Sequence, residues 1–369
     1  MTPVPKRILF VMPSLRIGGA ERVMVTLLHH LDRSRFEPHL ALVEKAGPYL
    51  EDVPPDVPVH DLKATRVRWA VPKMIRLAWE LKPHVLHSSM PELNMATVLS
   101  RPFLPPGVRV LIREEVVGSV ENARSRKHPA VWNWLYRRLY SRADKVICLS
   151  EFVLNDLAEN LGIPRRVLVH IYAPVDTELV ARLGNEGGNP FEGKGTHILA
   201  AGRLEKRKGF DMLLDAMPRV CAAVPGARLT ILGEGVLKQE LLAQRERLGL
   251  NQTVRFVDYQ PNPFPHFKHA DLFVLSSTNE GFGLVVVEAL AVGTPVVAAD
   301  CGGVLREILR DCPLGWVAPP GGPSALAETI ISALKALSGQ PQLHRPLESF
   351  LNRFDVRTVM RDYESLLES

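Results

Sequence analysis

A basic loop between residues 200 and 210, with the sequence AAGRLEKRKGF, carries the first side chains suited to chemistry. The apolar run before it predicts a strand, and Gly202 and Gly209 flank the turn that follows. Arg203 offers a planar fork of donors and Lys208 a compact charge, a pair suited to the oxygens of a diphosphate. A solvated basic turn explains these residues equally well, so the loop alone decides nothing.

A second loop, residues 276–297, reads SSTNEGFGLVVVEALAVGTPVV and places two glutamates around a predicted helix start. The free amides of Leu284 and Val285, with the helix dipole, favour an anion there. Glu288, one turn into the helix, is placed to accept the hydroxyls of a ribose, and Glu280 those of a sugar. The alternative is a capped core helix with a charged rim, but a carboxylate inside an apolar run rarely lacks a partner.

A third glycine turn, Gly18–Gly19, separates the first predicted strand from the first predicted helix. Its backbone and the helix amides are placed to touch a phosphate, although a plain tight turn is the simpler explanation. The dinucleotide fingerprint GxGxxG is absent from this position. The near match that begins at Gly233 has Lys238 in place of the third glycine.

Short β-branched runs alternate with helical patterns along the chain, which predicts an α/β fold of two doubly wound, Rossmann-like domains facing across a cleft. The predicted helices include Ala20–Leu31, Met74–Leu81, Phe152–Leu161, Leu284–Val292 and Val356–Leu367. The predicted strands are Ile8–Met12, His39–Val43, Val57–Leu62, His84–His87, Val108–Ile112, Lys145–Leu149, Val167–Ile171, His197–Ala201, Arg228–Leu232, Val254–Val257, Leu272–Ser276, Pro295–Ala299 and Trp316–Ala318.

The alternation lapses between Pro174 and Gly195, in a stretch rich in Gly, Asn and Pro that is typical of domain junctions. We therefore predict one domain over residues 1–175 and a second, donor-binding domain over 176–354. The last helix, 355–369, is predicted to cross back onto the first domain.

Together, GGAERV at 18–23, GRLEKRKG at 202–209, EGFGLVVVEAL at 280–290 and the Cys301-Gly302-Gly303 turn resemble the ordered signature of glycosyltransferase family 4, which has the GT-B fold. The resemblance spans nearly the whole chain. It implies a retaining glycosyltransferase that needs no metal or cofactor, with a nucleotide-sugar donor as substrate, UDP-linked.

The resemblance also implies roles for individual residues. Arg203 and Lys208 would bind the donor diphosphate, Glu288 the ribose, and Glu280 the donor sugar. By position only, the backbone at Asp258 and Tyr259 would hold the base. Glycines and amides around these groups complete the donor site, namely Gly18, Gly19, Gly281, Phe282, Gly283, Leu284 and Val285.

The chain departs from the family pattern after the strand predicted at Val108–Ile112. Many members carry a histidine there that touches the transferred sugar, whereas this chain reads LIREEVVGSVEN. An Arg-Glu dipeptide, matching Arg113 and Glu114, occurs in a subgroup of bacterial polysaccharide and glycolipid transferases. These two residues either take a catalytic role at the acceptor or sugar, or pair with each other.

Charge is divided between the two halves. Residues 1–175 hold 25 Lys and Arg against 17 Asp and Glu, while residues 176–369 hold 20 against 23. A basic first half suggests an anionic partner. Residues 123–144, ARSRKHPAVWNWLYRRLYSRAD, mix arginines with Trp132, Trp134, Tyr136 and Tyr140, so they form either a helix resting on an anionic membrane or a packing helix with aromatic core contacts.

The sequence argues against several classes of protein, namely secreted, membrane-spanning and metal-binding ones. The N-terminus has no cleavage site and no run approaches the roughly 18 apolar residues of a spanning helix, so we expect a cytoplasmic protein, with possible contact at the inner face of the cell membrane. The four cysteines are widely spaced and expected to fill cores, and no paired histidine motif predicts a metal site.

Three functions remain to be compared. The first is sugar transfer to a lipid-linked or polysaccharide acceptor in cell-envelope glycan synthesis. The second is a nucleotide-sugar epimerase or phosphorylase on the same fold. The third is a non-catalytic protein that binds membrane or nucleic acid through the basic half. The third leaves the Glu280–Glu288 loop unexplained, because its carboxylates would repel phosphates, so we expect no nucleic-acid partner.

Overall fold

The computed structural model describes residues 4–338 and 347–369, and the chain forms two units. One unit comprises Met1–Pro174 and Val356–Ser369, and the other comprises Val175–Asp355. The division falls within one residue of the limits expected from sequence. The glycine-rich stretch 184–195 lies inside the second unit.

The first unit is built on a parallel sheet of seven strands in the order β3-β2-β1-β4-β5-β6-β7. Its central strands are almost fully buried because helices cover both faces. All seven predicted strands are confirmed, with ends shifted by up to three residues. They are β1 (Lys6–Met12), β2 (Phe36–Leu42), β3 (Val59–Asp61), β4 (Val85–Ser89), β5 (Arg109–Glu114), β6 (Lys145–Cys148) and β7 (Leu168–His170).

Helices fill the crossovers of this unit: α1 (Gly19–His30), α2 (Val67–Leu81), α3 (Pro91–Ser100), α4 (Gly118–Ser125), α5 (Pro129–Tyr140) and α6 (Glu151–Asn155). Helix α2 begins seven residues before the predicted start at Met74. The structure includes Pro72 within the helix, although an interior proline removes one helix hydrogen bond. Ser150 caps α6 by accepting a hydrogen bond from the Val153 amide, and a π-helical turn continues it over Asp156–Asn160.

The second unit contains a parallel sheet of six strands in the order β10-β9-β8-β11-β12-β13. Its core is aliphatic, with Leu213, Ile231 and Ile330 fully buried. The six predicted strands are confirmed as β8 (Thr196–Ala201), β9 (Ala227–Leu232), β10 (Val254–Val257), β11 (Leu272–Leu275), β12 (Val296–Ala299) and β13 (Gly315–Ala318).

Eight helices surround or follow this sheet in the described residues: α7 (Thr177–Gly184), α8 (Phe210–Ala223), α9 (Lys238–Arg247), α10 (Phe264–His269), α11 (Leu284–Ala291), α12 (Val304–Ile308), α13 (Gly322–Ser338) and α14 (Glu348–Leu351).

The C-terminal helix α15 (Val356–Glu368) belongs to the first unit and packs against α1. It is strongly amphipathic and buries Val359, Tyr363 and Leu367 on one face. Arg35 binds it from outside, 2.7 Å from the carboxylate of Glu364. Residues far apart in sequence thus complete the first unit.

Both sheets reverse their strand order once, between β1 and β4 and between β8 and β11. At such a point the loops after the two neighbouring strands leave in opposite directions and open a crevice at the carboxyl edge. The candidate loops of the sequence follow these strands: the loop after β1 holds Gly18, that after β8 holds Lys208, and that after β11 holds Glu280.

Candidate functional site

The loops after β8 and β11 are joined by hydrogen bonds in the second unit. The Thr278 amide donates to the Arg207 carbonyl (2.8 Å), and the Ser276 hydroxyl donates to the Lys208 carbonyl (2.8 Å). Gly209 is required at the contact because it has φ +62° and a Cβ there would lie 2.2 Å from the Ser276 carbonyl oxygen. The basic loop and the glutamate loop therefore form one structure.

Lys208 and Glu280 form an ion pair at the centre of these loops, with 2.6 Å between Nζ and Oε1. Both side chains are largely buried. Burial opposes ionisation of Glu280, but the charges of Lys208 and Arg207 and the hydrogen bond from Lys208 outweigh it and lower the pKa of the carboxyl. Glu280 is therefore ionised at neutral pH. Sequence analysis selected both residues but not their contact.

Arg203 and Arg207 share Glu205 on the same loop. Arg203 is exposed and lies 3.6 Å from the Glu205 carboxylate, while Arg207 binds it at 3.0 Å. Arg207 also donates to the Asn279 carbonyl at 3.4 Å. Sequence analysis missed Arg207, which stabilises both loops. Arg203, held loosely, is the side chain with freedom to turn toward a ligand.

Helix α11 starts directly beside the ion pair. Gly283 precedes it with φ +84°, and no side chain caps the helix. The amides of Leu284 and Val285 lie in the first turn, where an α-helix offers no internal acceptor. Glu288, one turn further, is only 2% exposed. The predicted cluster of amides and carboxylate is therefore assembled at the carboxyl edge of β11.

Phe282 is buried, and its ring meets that of Phe354 edge-on, with centroids 5.5 Å apart. Its side chain therefore anchors the loop in the second unit. Cys301 lies near Glu280, where burial and that charge raise the thiol pKa to about 12. The four cysteines are all free, and three are buried, as expected of core residues.

The loops after β9 and β10 lie beside the basic loop. Gly233 has φ +145°, and a Cβ there would lie 2.1 Å from the Gly202 carbonyl oxygen, which requires glycine at this approach. The Tyr259 amide donates to Glu234 at 3.3 Å, and Lys238 pairs with Asp258. Asp258 and Tyr259 thus lie at the carboxyl edge, on the β9–β10 side of the Arg203 loop.

In the first unit, Gly18 and Gly19 form the turn into α1, with Gly19 as its first residue. The carboxylate of Glu21 folds back over the turn, because a Cβ on Gly18 would lie 2.2 Å from Glu21 Oε2. An anion of the chain itself therefore already lies close to these helix amides. A phosphate would have to share this position with Glu21.

Arg113 and Glu114 do not pair with each other, so that alternative is wrong. Successive residues of a strand point to opposite faces. Arg113 is 0% exposed and donates from Nε to Glu115 at 2.6 Å and from Nη2 to the Ala20 carbonyl at 3.2 Å. Its side chain therefore lies on the α1 side of the sheet. Sequence analysis missed Glu115 as its partner.

Glu114 faces the other side and is also fully buried. The Tyr140 hydroxyl donates to its carboxylate at 2.7 Å. Burial raises the pKa of Glu114 to about 8, despite the hydrogen bond from Tyr140. Its carboxyl is therefore largely protonated at neutral pH. Neither side chain reaches the surface of the unit.

In the basic, aromatic segment 123–144, some aromatic side chains pack in the core and others are exposed, so each of the two alternatives fits part of the segment. Tyr136 and Tyr140 are core residues, whereas Trp134 is 58% exposed. Trp132 lies beneath Arg126, whose guanidinium is 4.0 Å from the ring centroid. Exposed apolar side chains also lie on the neighbouring helices α2 and α3 and just beyond α3, namely Trp69, Trp79, Leu99 and Phe103.

Within residues 4–338 and 347–369, every helix is too short or too polar to cross a bilayer. No group of three or more His, Cys, Asp or Glu side chains in these ranges is arranged to hold a metal ion.

Family models match both units. The model described as Glycosyl transferases group 1 matches residues 185–343, and the model described as Glycosyltransferase Family 4 matches residues 17–179. The two matches together contain most of the candidate loops. Gly18, Gly19 and Arg113 lie in the match to residues 17–179. Lys208, Glu280 and Glu288 lie in the match to residues 185–343.

Individual proteins align over nearly the full chain. N-acetylgalactosamine-N,N'-diacetylbacillosaminyl-diphospho-undecaprenol 4-alpha-N-acetylgalactosaminyltransferase of Campylobacter jejuni is 28% identical over 359 residues, covering 95% of this chain and 96% of that protein. Phosphatidyl-myo-inositol mannosyltransferase of Mycobacterium leprae is 28% identical over 371 residues, covering 87% and 96%. The crystal structure of Anabaena HepE in complex with UDP-glucose superposes with a TM-score of 0.80 at 22% identity, covering 98% and 99%.

Proposed function

The chain belongs to the group 1 glycosyltransferases of family 4, with the GT-B fold, and we propose that it moves a sugar from a UDP-sugar to a lipid-linked or polysaccharide acceptor in cell-envelope glycan synthesis. The observation that carries the proposal is the group formed by Lys208, Glu280 and the start of α11. The ammonium of Lys208, the carboxylate of Glu280 and the first-turn amides of α11 lie in or next to two adjoining loops.

The donor contacts follow from the chemistry of each group. Arg203, Lys208 and the amides of Leu284 and Val285 bind the diphosphate, because they present positive charge and donors at one edge. Glu288 accepts hydrogen bonds from the ribose hydroxyls, and Glu280 from the sugar. Likeness to a structure that holds UDP-glucose supports a uridine donor. We assign the base to the backbone at Asp258 and Tyr259, which follows β10.

The transfer retains the anomeric configuration and needs no metal or other cofactor. The bond between the anomeric carbon and the diphosphate oxygen breaks as the acceptor oxygen attacks from the same face, and the acceptor proton passes to the departing diphosphate. Negative charge grows on that group, so the largest electrostatic task is its neutralisation. Arg203 and Lys208 supply two positive charges for it.

The acceptor binds to the first unit. An open depression of 330 Å³ follows the carboxyl ends of its first three strands, and its wall carries Arg66 together with Arg16, which is paired with Glu44 at 2.9 Å. Cationic side chains suit an acceptor that carries phosphate. The relatives named for undecaprenol diphosphate and phosphatidyl-inositol acceptors support a lipid-linked class.

We place the protein in the cytoplasm, at the inner face of the membrane, with α5 as the contact. Val131, Trp134 and Arg138 lie at helical spacing along one exposed stripe of α5, and Arg137 is also exposed. Indole rings favour the lipid interface, and arginines favour anionic headgroups. The basic excess of residues 1–175 complements such a surface.

The test is a panel of nucleotide sugars screened by thermal shift, followed by incubation of the stabilising donor with lipid-linked and glycan acceptors. Transfer of the sugar, lost in Lys208→Ala, is expected. Release of a free epimer from donor alone would replace this function with the epimerase alternative, and binding of vesicles without any donor binding would replace it with the non-catalytic one.

A further inference from the structure

Glu115 is a carboxylate at the carboxyl edge of the first unit, in addition to Glu21 at the start of α1. It directly follows β5, which pairs with β4 one strand away from the reversal of strand order, and its side chain is 14% exposed. Glu114, one residue earlier, is fully buried. In doubly wound sheets ligands bind at this edge. Glu115 is therefore placed to meet a substrate while its two predecessors are not.

A buried arginine holds Glu115 in place. Arg113 donates from Nε to Glu115 Oε1 at 2.6 Å. Among the described residues no donor reaches Glu115 Oε2. Arg113 is fully buried, and burial opposes its charge, but Glu115 and Tyr363 outweigh that effect and raise its pKa. The arginine is therefore a fixed cation that orients the Glu115 carboxylate.

The C-terminal helix α15 packs near this arrangement, although Tyr363 and Arg113 are about 250 positions apart in sequence. The Tyr363 hydroxyl of α15 lies 2.5 Å from His87 Nε2 and is near enough to Arg113 to raise the pKa of its guanidinium. Burial, then the charge of Arg113, lowers the pKa of His87 to about 3, so the imidazole is neutral and adds no competing cation. His87, Tyr363, Arg113 and Glu115 form one continuous buried chain of contacts. It ends at the partly exposed carboxylate of Glu115.

We propose that Glu115 binds a carbohydrate hydroxyl of the substrate through its Oε2, and that Arg113 and Tyr363 are positioning residues for it. A carboxylate held by a rigid cation accepts a hydroxyl hydrogen bond without losing side-chain entropy on binding. This inference rests on the proposed function, because it assigns a substrate contact to the first unit. The hydroxyl belongs either to the transferred sugar or to the acceptor.

The primary test is Glu115→Gln, compared with wild type in donor binding, donor hydrolysis and sugar transfer. The variant should bind UDP within about twofold of wild type and transfer about 10- to 100-fold more slowly, the range for one hydrogen bond to a charged group. Loss of hydrolysis and transfer together assigns the hydroxyl to the transferred sugar. Loss of transfer alone, with a raised acceptor KM, assigns it to the acceptor.

The control is Glu80→Gln, near the end of α2 and at the opposite edge of the sheet, because α2 runs back toward the start of β4. It should transfer like wild type. Unchanged transfer by Glu115→Gln, in a protein whose Lys208→Ala variant loses donor binding, overturns the inference and leaves the proposed function standing. Absence of transfer by the wild type with every donor contradicts the function itself.

A double-mutant cycle tests the positioning role. Tyr363→Phe should slow transfer about 3- to 10-fold with UDP affinity unchanged, and this effect should vanish when Glu115 is already Gln. An equal loss in both backgrounds shows that Tyr363 acts only on folding and overturns its role. If Tyr363→Phe lowers Tm by more than a few degrees, Arg113→Lys is measured in the same cycle with the same expected result.

Discussion

Lys208 Nζ lies 2.6 Å from Glu280 Oε1, and this contact joins the loop that follows β8 to the loop that follows β11. The two residues are 72 positions apart in sequence. Both charges are largely buried, and each offsets the cost of burying the other. The pair therefore keeps the Lys208 cation at the carboxyl edge with a counter-charge beside it. A diphosphate that approaches Lys208 therefore meets a group whose position is already fixed.

Lys208→Ala should weaken UDP binding about 10- to 100-fold, because it removes a charged hydrogen bond to the diphosphate. It should also lower the free energy of unfolding by about 3 kcal/mol or more, since Glu280 is left buried without its cation. Calorimetry and urea denaturation measure the two effects. Lys206→Ala, an exposed neighbour on the same loop, is the matched control. Equal UDP affinity in both variants would contradict the assigned role.

Glu288→Gln should reduce discrimination between UDP and 2′-deoxy-UDP. In the wild type the missing ribose hydroxyl removes one hydrogen bond to the buried carboxylate, so the deoxy ligand should bind at least tenfold more weakly. In the variant the two affinities should converge. Glu240→Gln, exposed on α9, should keep the wild-type ratio. If Glu288→Gln keeps the wild-type ratio of UDP to 2′-deoxy-UDP affinity, Glu288 does not bind the ribose.

Transfer should survive removal of divalent metal and should retain configuration. With Arg203 and Lys208 neutralising the departing diphosphate, activity in EDTA should stay within about twofold of the untreated enzyme. Proton NMR of the product should show the anomer of the donor. Activity that falls in EDTA and returns with Mg²⁺, or an inverted product, would contradict these two expectations separately.

Glu114 should make the stability of the first unit depend on pH. Its pKa rises from the ordinary 4.5 to about 8 on folding. Between these values the folded chain binds more protons than the unfolded one, so this contribution is present at low pH and is lost as pH rises toward 8. In Glu114→Gln the dependence disappears, and the variant should become the more stable protein near pH 8.

Urea denaturation from pH 5 to 8.5 measures that difference by tryptophan fluorescence, since four of the five tryptophans lie in the first unit. A tenfold change in proton affinity is worth about 1.4 kcal/mol, so the two proteins should diverge by several kcal/mol across the range. Glu80→Gln should follow the wild type. Parallel curves for wild type and Glu114→Gln would mean that Glu114 is ionised in the folded protein.

The stripe on α5 should bind anionic vesicles. Charge reversal of Arg137 and Arg138 to Glu should weaken sedimentation with phosphatidylglycerol vesicles more than tenfold, because each basic residue near the surface contributes about 1 kcal/mol. Reversal of Lys194 and Arg247, both exposed in the second unit, gives the same net charge and should have little effect. Equal losses in the two variants would point to net charge alone, and no loss in either would exclude the α5 contact.

The sequence by itself determined the strands, most helices and the loops that carry Lys208, Glu280 and Glu288. Strand and helix periods are local properties, and a glycine or a helix start marks each loop within a few residues. Only the tertiary structure decided which of the three charged residues at the end of β5 reaches the surface of the unit. Both faces of a doubly wound sheet are covered, so Arg113 and Glu114 are equally buried on opposite sides, and Glu115 emerges only because the strand ends there. Arg113 orients it, and the helix that packs next to this arginine comes from the other end of the chain, which no local pattern encodes.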